Sequence, residues 1–410
     1  MTMIPKIRFS EFEEEWEEST IGDIAKFSKG NGYSKSDLST KGNPIILYGS
    51  LYTNYSSVIE DVKTYAPLHN SAVLSKGNEV IIPASGETPE DIAIASAIKQ
   101  KGVILGGDLN VLSFPEDYDS TFMALNISFG KTHRELIKFA QGKTVVHLHN
   151  SDIALGKIAT PTLSEQRRIS QFFTLLDETI RLEGERLASL QQVKAASLQS
   201  FFPQEGEKEP RVRFKGFSGE WKKVKLSECL EISTERNLDN FYGKNDVLSV
   251  SEELGVRNQI ELLGRSYAGQ SVTNYNVLRT NQIVYTKSPL KAKPYGIVKV
   301  NKGETGIVSV LYAVYNVKEG ISPDYIHWYF TPNFRLNNYL HPLVNKGAKN
   351  TMNISDEDAL KGEIMIPSTL AEQRALSAYF TNIDEQIRLV SEKIEKMKKV
   401  KGACLEGMMV

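Results

Sequence analysis

Ile158-Ala159-Thr160-Pro161-Thr162-Leu163-Ser164-Glu165-Gln166-Arg167 returns half a chain later as Ile364-Met365-Ile366-Pro367-Ser368-Thr369-Leu370-Ala371-Glu372-Gln373-Arg374. Gly156-Lys157-Ile158 and Pro161 correspond to Gly362-Glu363-Ile364 and Pro367, and a one-residue slip aligns the two Glu-Gln-Arg triplets. Downstream, Phe173, Asp177, Ile180, Arg181 and Leu182 match Phe380, Asp384, Ile387, Arg388 and Leu389. Upstream, Pro5-Lys6-Ile7-Arg8-Phe9 matches Pro210-Arg211-Val212-Arg213-Phe214, Phe12 matches Phe217, and Glu15-Trp16 matches Glu220-Trp221. Such self-similarity marks a repeated architecture. The middles, roughly 27–147 and 232–352, share little by eye. A drifted duplication is one explanation. The matched edges favour another, in which a constant frame carries two middles that read different things.

After each Glu-Gln-Arg triplet comes a long helical pattern. Ser164–Phe202 contains no proline and only Gly184, with Pro161 before it and Pro203 after it. Ser164 suits an N-cap, and Glu165 in the first turn suits the helix dipole. The second copy starts near Leu370, with apolar residues alternating three and four apart: Leu376, Phe380, Ile383, Ile387, Val390, Ile394 and Met397, continued by Cys404 and Met408. Ile169, Phe173, Leu176, Ile180, Leu187 and Leu190 hold the equivalent phase in the first copy, interrupted by Glu183 and Lys194. That seam is expected of a helix packed along another helix. A run of about 39 residues reaches about 58 Å at 1.5 Å per residue. The alternative is one amphipathic helix lying on each domain. The expectation is an α+β protein with two strand-rich domains in tandem pseudo-repeat. Two long helices pairing as an antiparallel coiled coil separate the domains, with the chain ends close together. The boundaries expected are 1–161 and 205–367 for the domains, 162–204 and 368–410 for the helices.

With 410 residues, more than one core is expected. Forty per cent apolar and 24% charged residues describe a soluble globular chain, and no apolar run is long enough to span a bilayer. The acidic start, Glu11 to Glu18, is unlike a secretory leader. Two cysteines, Cys229 and Cys404, make neither a disulfide framework nor a zinc site, so a cytoplasmic location is expected. Net charge is −1, but 240–352 carries 13 basic against 7 acidic side chains, while 21–150 carries 12 against 13. By charge, only the second middle favours an anion.

Within the halves, Ala72–Leu74, Glu79–Ile82, Val103–Leu105, Gln282–Tyr285, Gly296–Val300 and Gly306–Val310 are strand-like. Helices are expected over Phe122–Phe139 and Asp324–Leu340, with further turns or helices at Ser151–Leu155 and Ser355–Leu360.

In this domain–helix–domain–helix order, and in the two boundary segments quoted above, the chain resembles the specificity subunit family of type I restriction–modification systems over essentially its whole length. The boundaries are similar to that family's I-x-I-P-x-P-x-L-x-E-Q pattern, with the second proline missing from both copies, and Met1–Trp16 looks like its N-terminal lead. The resemblance implies a non-catalytic DNA-binding protein. Each target recognition domain reads one half of a bipartite, asymmetric double-stranded DNA target through the major groove. The helices set the spacing and dock two modification subunits, adenine methyltransferases that bind S-adenosylmethionine. Restriction subunits with ATP-driven translocase activity join that core. No cofactor is expected in this chain.

Lys and Arg suit guanine or phosphate, and Asn and Gln suit adenine. On that basis the DNA-contact candidates are Gln141, Lys143 and Thr144 in Gln141-Gly142-Lys143-Thr144, and Lys346, Lys349 and Asn350 in the matching loop Asn345–Asn350, where the resemblance implies a DNA-facing loop. Lys29, Asn31, Tyr33 and Lys35 form another candidate loop, as do Lys287, Ser288, Lys291 and Lys293; Ser85 stands at the comparable place in the first half. Ordinary polar surface loops are the competing reading. Lys349→Ala and Lys293→Ala are expected to weaken DNA binding.

Enzymatic signals are weak. Gly130-Lys131-Thr132 and Gly142-Lys143-Thr144 lack the upstream P-loop glycine, with Leu125 and Ile137 in its place. Phe27–Gly32 suggests a methyltransferase glycine loop only faintly, and Asn43-Pro44 continues into Ile45-Ile46 rather than an N-P-P-Y motif. His147 and His149 have no obvious third metal ligand. A coiled-coil scaffold or adhesin-like binding protein is the remaining alternative, but it gives no reason for two dissimilar domains.

Overall fold

The protein is described by a computed structural model covering residues 3–142, 144–289, 292–346 and 352–410. The chain divides into two compact units: Met1–Glu185 with Ser391–Val410, and Arg186–Val390.

In the first unit, strand Glu17–Thr20 pairs antiparallel with Lys157–Thr160. A five-stranded sheet follows the order Lys26–Lys29, Leu109–Ser113, Glu79–Pro83, Ser96–Ile98, Val58–Ile59. In the second unit, Lys222–Lys225 pairs antiparallel with Glu363–Ile366. Its four-stranded sheet runs Leu230–Ile232, Ala313–Val317, Ile283–Tyr285, Val298–Val300. Strand for strand, this is the order of the first four strands of the other sheet. The dissimilar middles therefore share a topology.

Ala72–Leu74 is not a strand; only Leu74 bridges to Ile104. Each expected helix is a pair, Ser120–Phe129 with Lys131–Phe139 and Pro323–Phe330 with Asn333–Leu340. Gly130 makes the first break, where a Cβ would lie 2.7 Å from the carbonyl oxygen of Asn126. Thr331-Pro332 makes the second, because proline has no N–H to continue the helix.

Each unit is locked by the matched residues. Arg8 donates through Nε and Nη2 to both oxygens of Glu165, at 2.8 and 2.7 Å. Trp16 Nε1 donates to the same carboxylate at 3.4 Å. In the second unit Arg213 grips Glu372 at 2.7 and 2.8 Å, and Trp221 Nε1 donates to it at 3.3 Å. The adjacent glutamines act in parallel. Gln166 Oε1 accepts from Asp119 N–H, the N-cap of Ser120–Phe129, and Gln373 Oε1 accepts from Ser322 N–H, the N-cap of Pro323–Phe330. Phe173 and Phe380 are both 0% exposed in their unit's core, a contribution of about 1.5–3 kcal/mol each.

The long helices are Leu163–Ser200 and Leu370–Met408. The first starts one residue before Ser164, and Glu165 serves the ion pair above rather than only the dipole. Both units contain a stretch of each helix, and in both the two helices touch. In the first unit Lys401 pairs with Asp177 and Lys393 with Glu183, each at 2.5 Å. In the second, Lys194 pairs with Asp384, and the hydroxyls of Ser197 and Tyr379 lie 2.9 Å apart. Among the expected seam residues Ile169, Phe173, Leu376, Phe380, Ile383, Val390 and Ile394 are buried, and Leu176, Ile180, Leu187, Leu190, Ile387 and Met397 are half-buried. Ile169 and Phe173 sit in the first unit's core with Leu405 and Met408, so the seam and the domain core are continuous there.

The lead segments repeat one further contact. Ile7 N–H donates to Gly407 O at 2.9 Å in the first unit, and Val212 N–H to Ser200 O at 3.0 Å in the second. Among the described residues no helix is long and apolar enough to cross a membrane.

Candidate nucleic-acid interface

Strand register decides which loops meet. In the first unit Lys26–Lys29 and Glu79–Pro83 both pair antiparallel with Leu109–Ser113, so their C-terminal ends emerge together. Lys29 leads into its loop there, and Pro83 leads to Ser85. Ser85 pairs with His147 in a short ladder. A hairpin closes between Gln141 and His147 through N–H···O bonds of 3.0 and 2.8 Å. Gly142 turns it at φ +137°, where a Cβ would lie 2.0 Å from Val145 O; glycine is required. Asn150 Nδ2 donates to Ser28 O at 3.1 Å, tying the end of the hairpin to the start of the Lys29 loop. Three segments distant in sequence thus gather at one end of the sheet.

The candidates there are not equivalent. Lys29, Lys35, Gln141 and Thr144 are exposed. Asn31 donates to Ser71 O at 3.0 Å, and Tyr33 donates to Pro67 O at 3.0 Å while stacking on His69. Those two polar groups shape the loop. Ser85 is 4% exposed and donates to Asp108 at 3.1 Å, which makes it a framework residue. Lys143 lies outside the described residues. The rings of His147 and His149 stack 6.2 Å apart, and among the described residues no third ligand joins them.

The second unit repeats the arrangement. Ile283–Tyr285 and Leu230–Ile232 both run antiparallel to Ala313–Val317, so Lys287 and the segment after Ile232 leave at the same end. A hairpin again follows the helix pair, with Asn345 opposite Asn353 and Lys346 opposite Met352. Five residues separate Lys346 from Met352, as five separate Gln141 from His147. Lys349, Asn350 and Lys291 lie outside the described residues; of Lys346 only the backbone is described. Lys287 is joined to Asp356 at 2.5 Å, and Ser288 is half-buried beside it. Lys293, 13% exposed, pairs with Glu252 at 2.8 Å. Glu252 also faces the buried Lys299 at 3.7 Å, whose ammonium burial pushes below the usual lysine range. A phosphate approaching Lys287 or Lys293 meets an ammonium whose charge a carboxylate already offsets. Asp356 and Glu252 are the residues that sequence reasoning missed; no local spacing links them to those lysines.

The matched positions also decorate the exposed faces of the long helices. Arg181 bonds Glu178 and Glu185, and Arg388 bonds Glu385 at the equivalent place. Next to them in sequence, Leu182 and Leu389 are 49% and 50% exposed.

Over residues 13–192 the chain matches the family model of the type I restriction modification DNA specificity domain. The likeness read from the two boundary segments is borne out. Among solved structures, the chain is similar to the S subunit of a type I restriction–modification system from M. genitalium, with a TM-score of 0.60 at 11% identity, covering 100% of this chain and 99% of that one. It is also similar to the HsdS subunit from Thermoanaerobacter tengcongensis, with a TM-score of 0.46 at 17% identity and 95% coverage of both chains. The fold is shared with the first of these across its length.

Proposed function

We propose that the protein is the non-catalytic specificity subunit of a type I restriction–modification complex, acting in the cytoplasm. Each unit reads one half of a bipartite, asymmetric DNA target with the loops gathered at one end of its sheet. The single observation that carries this reading is the pairing of one sheet order with two sets of loops that differ in their residues. A common frame with different tips is what reading two different half-sites requires.

The long helices act as an antiparallel spacer between the readers. The falling order of partners along them, Asp177 with Lys401, Glu183 with Lys393, then Lys194 with Asp384, supports that reading. The helices also dock two modification subunits. Two copies of one surface motif, Glu178/Arg181/Leu182 in the first unit and Glu385/Arg388/Leu389 in the second, suit two copies of one partner. S-adenosylmethionine and the methyl-transfer chemistry belong to those partners, and translocase and nuclease activity to restriction subunits.

Methylome sequencing of cells carrying the complex tests the reading. A methylated motif with two unlike halves and a fixed gap is expected; a contiguous motif, or none, overturns it. On a duplex of that motif, Lys29→Ala and Lys35→Ala are each expected to weaken binding and to reduce the slope of log K against log salt by about 1. An unchanged slope removes that lysine from the phosphate contacts. They report more directly than Lys293→Ala, which also breaks the Glu252 pair.

A further inference from the structure

The loop Ser233–Gly243 of the second unit leaves the sheet where Lys29–Ser34 leaves it in the first. Each leads into a one-turn helix, Lys244–Asp246 and Lys35–Asp37, whose aspartate accepts from a backbone N–H at its start. The second loop is the longer, and its tip carries Phe241 with 84% of its surface exposed. Leu238 beside it is 64% exposed.

This exposure is built into the loop. Asn237, 3% exposed, donates through Nδ2 to Tyr242 O at 2.8 Å and Val272 O at 3.2 Å, and accepts from Tyr242 N–H at 3.0 Å. Thr273 Oγ1 donates to Asn240 Oδ1 at 2.7 Å, and Asn240 holds φ +50°, a conformation asparagine tolerates better than most residues. Tyr242 packs inward against Val247, Val272, Val277 and Ile307. One aromatic anchors the loop and the next is held out in water. A preorganised apolar probe on the same end of the sheet as Lys287 needs an apolar feature to meet. Asp239 and Lys244 stand two positions before and three after Phe241, so this loop offers little net charge to phosphate. The apolar group that duplex DNA presents at base edges in the major groove is the thymine 5-methyl.

We infer that Phe241 is a specificity-determining contact of the second unit, packing its ring against a thymine methyl in the half-site that unit reads. The inference rests on the DNA-reading function proposed above. The test uses the full chain assembled with its modification subunits and a synthetic duplex of the motif found by methylome sequencing. Each thymine is replaced in turn by deoxyuridine, which removes only the methyl group. One position is expected to weaken wild-type binding about four-fold, the worth of one buried methyl group. Phe241→Ala is expected to bind the parent duplex about ten-fold more weakly, since a whole ring contact is lost, and to ignore deoxyuridine at that position. Phe241→Trp is expected to keep the sensitivity. Because the side chain is exposed, thermal unfolding of the Ala variant should match the wild type. Binding by Phe241→Ala within two-fold of wild type (roughly the resolution of such assays), with the same deoxyuridine profile, overturns the inference and leaves the DNA reading intact. Failure of the wild type to bind any motif duplex overturns both.

Discussion

Glu372→Ala is expected to destabilise the second unit by about 3–5 kcal/mol, and Glu165→Ala the first by a similar amount. Glu372 is 3% exposed and Glu165 1%, and each satisfies a bidentate arginine and an indole N–H. Removing the carboxylate strands a guanidinium whose remaining partners are backbone carbonyls, Gly219 and Ser218 for Arg213 and Glu14 for Arg8. The cost is therefore chiefly an uncompensated charge, not a lost attraction. Arg213→Met combined with Glu372→Met should recover much of it, since a buried pair exchanged for apolar groups is often neutral. Tryptophan fluorescence during urea unfolding can follow each unit. Trp16 is the first unit's only tryptophan, whereas the second has Trp221 and Trp328. A loss below about 1 kcal/mol, the range of an exposed pair, would show that the cluster is not structural.

The second large effect concerns the spacer. Inserting one heptad into each long helix, between Glu183 and Lys194 in the first and between Leu389 and Lys393 in the second, preserves the order of the paired side chains and leaves Glu178/Arg181/Leu182 and Glu385/Arg388/Leu389 intact. It lengthens each helix by about 10 Å. At about 3.4 Å per base pair the gap in the methylated motif should grow by about three base pairs, and methylation at the parental motif should be lost. An insertion in one helix alone puts the two strands of the proposed spacer out of step, and no motif should be methylated. Persistence of the parental motif after the double insertion rules out the helices as the ruler.

What the sequence revealed follows from where its constraints are local. Arg8/Arg213, Trp16/Trp221 and Glu165/Glu372 stood out because each unit builds the same clamp from the same residues. The two long helices were readable because helical spacing repeats along tens of residues. The common sheet order was not readable. Its strands are three to five residues long, and Glu79–Pro83 and Ile283–Tyr285 are buried on both faces, so neither shows an alternating pattern. Phe122–Phe139 looked like one helix because its break is a single glycine, and what makes Gly130 necessary includes the carbonyl of Val410, far along the chain. The site followed the same rule. The loops were found by composition, but the neutralising partners of Lys287 and Lys293 lie 69 and 41 positions away in sequence. The character of Ser85, buried and bonded to Asp108, also depends on distant chain.

The bond from Ile7 to Gly407 bears on the order in which the units can close. In the second unit the same bond, Val212 to Ser200, joins points 12 positions apart. In the first unit the equivalent points lie 400 positions apart. Met1–Glu185 therefore completes its frame only after Ser391–Val410 has been made. During synthesis from the N-terminus, Arg186–Val390 has all of its own parts first, and the earlier half waits for the later one.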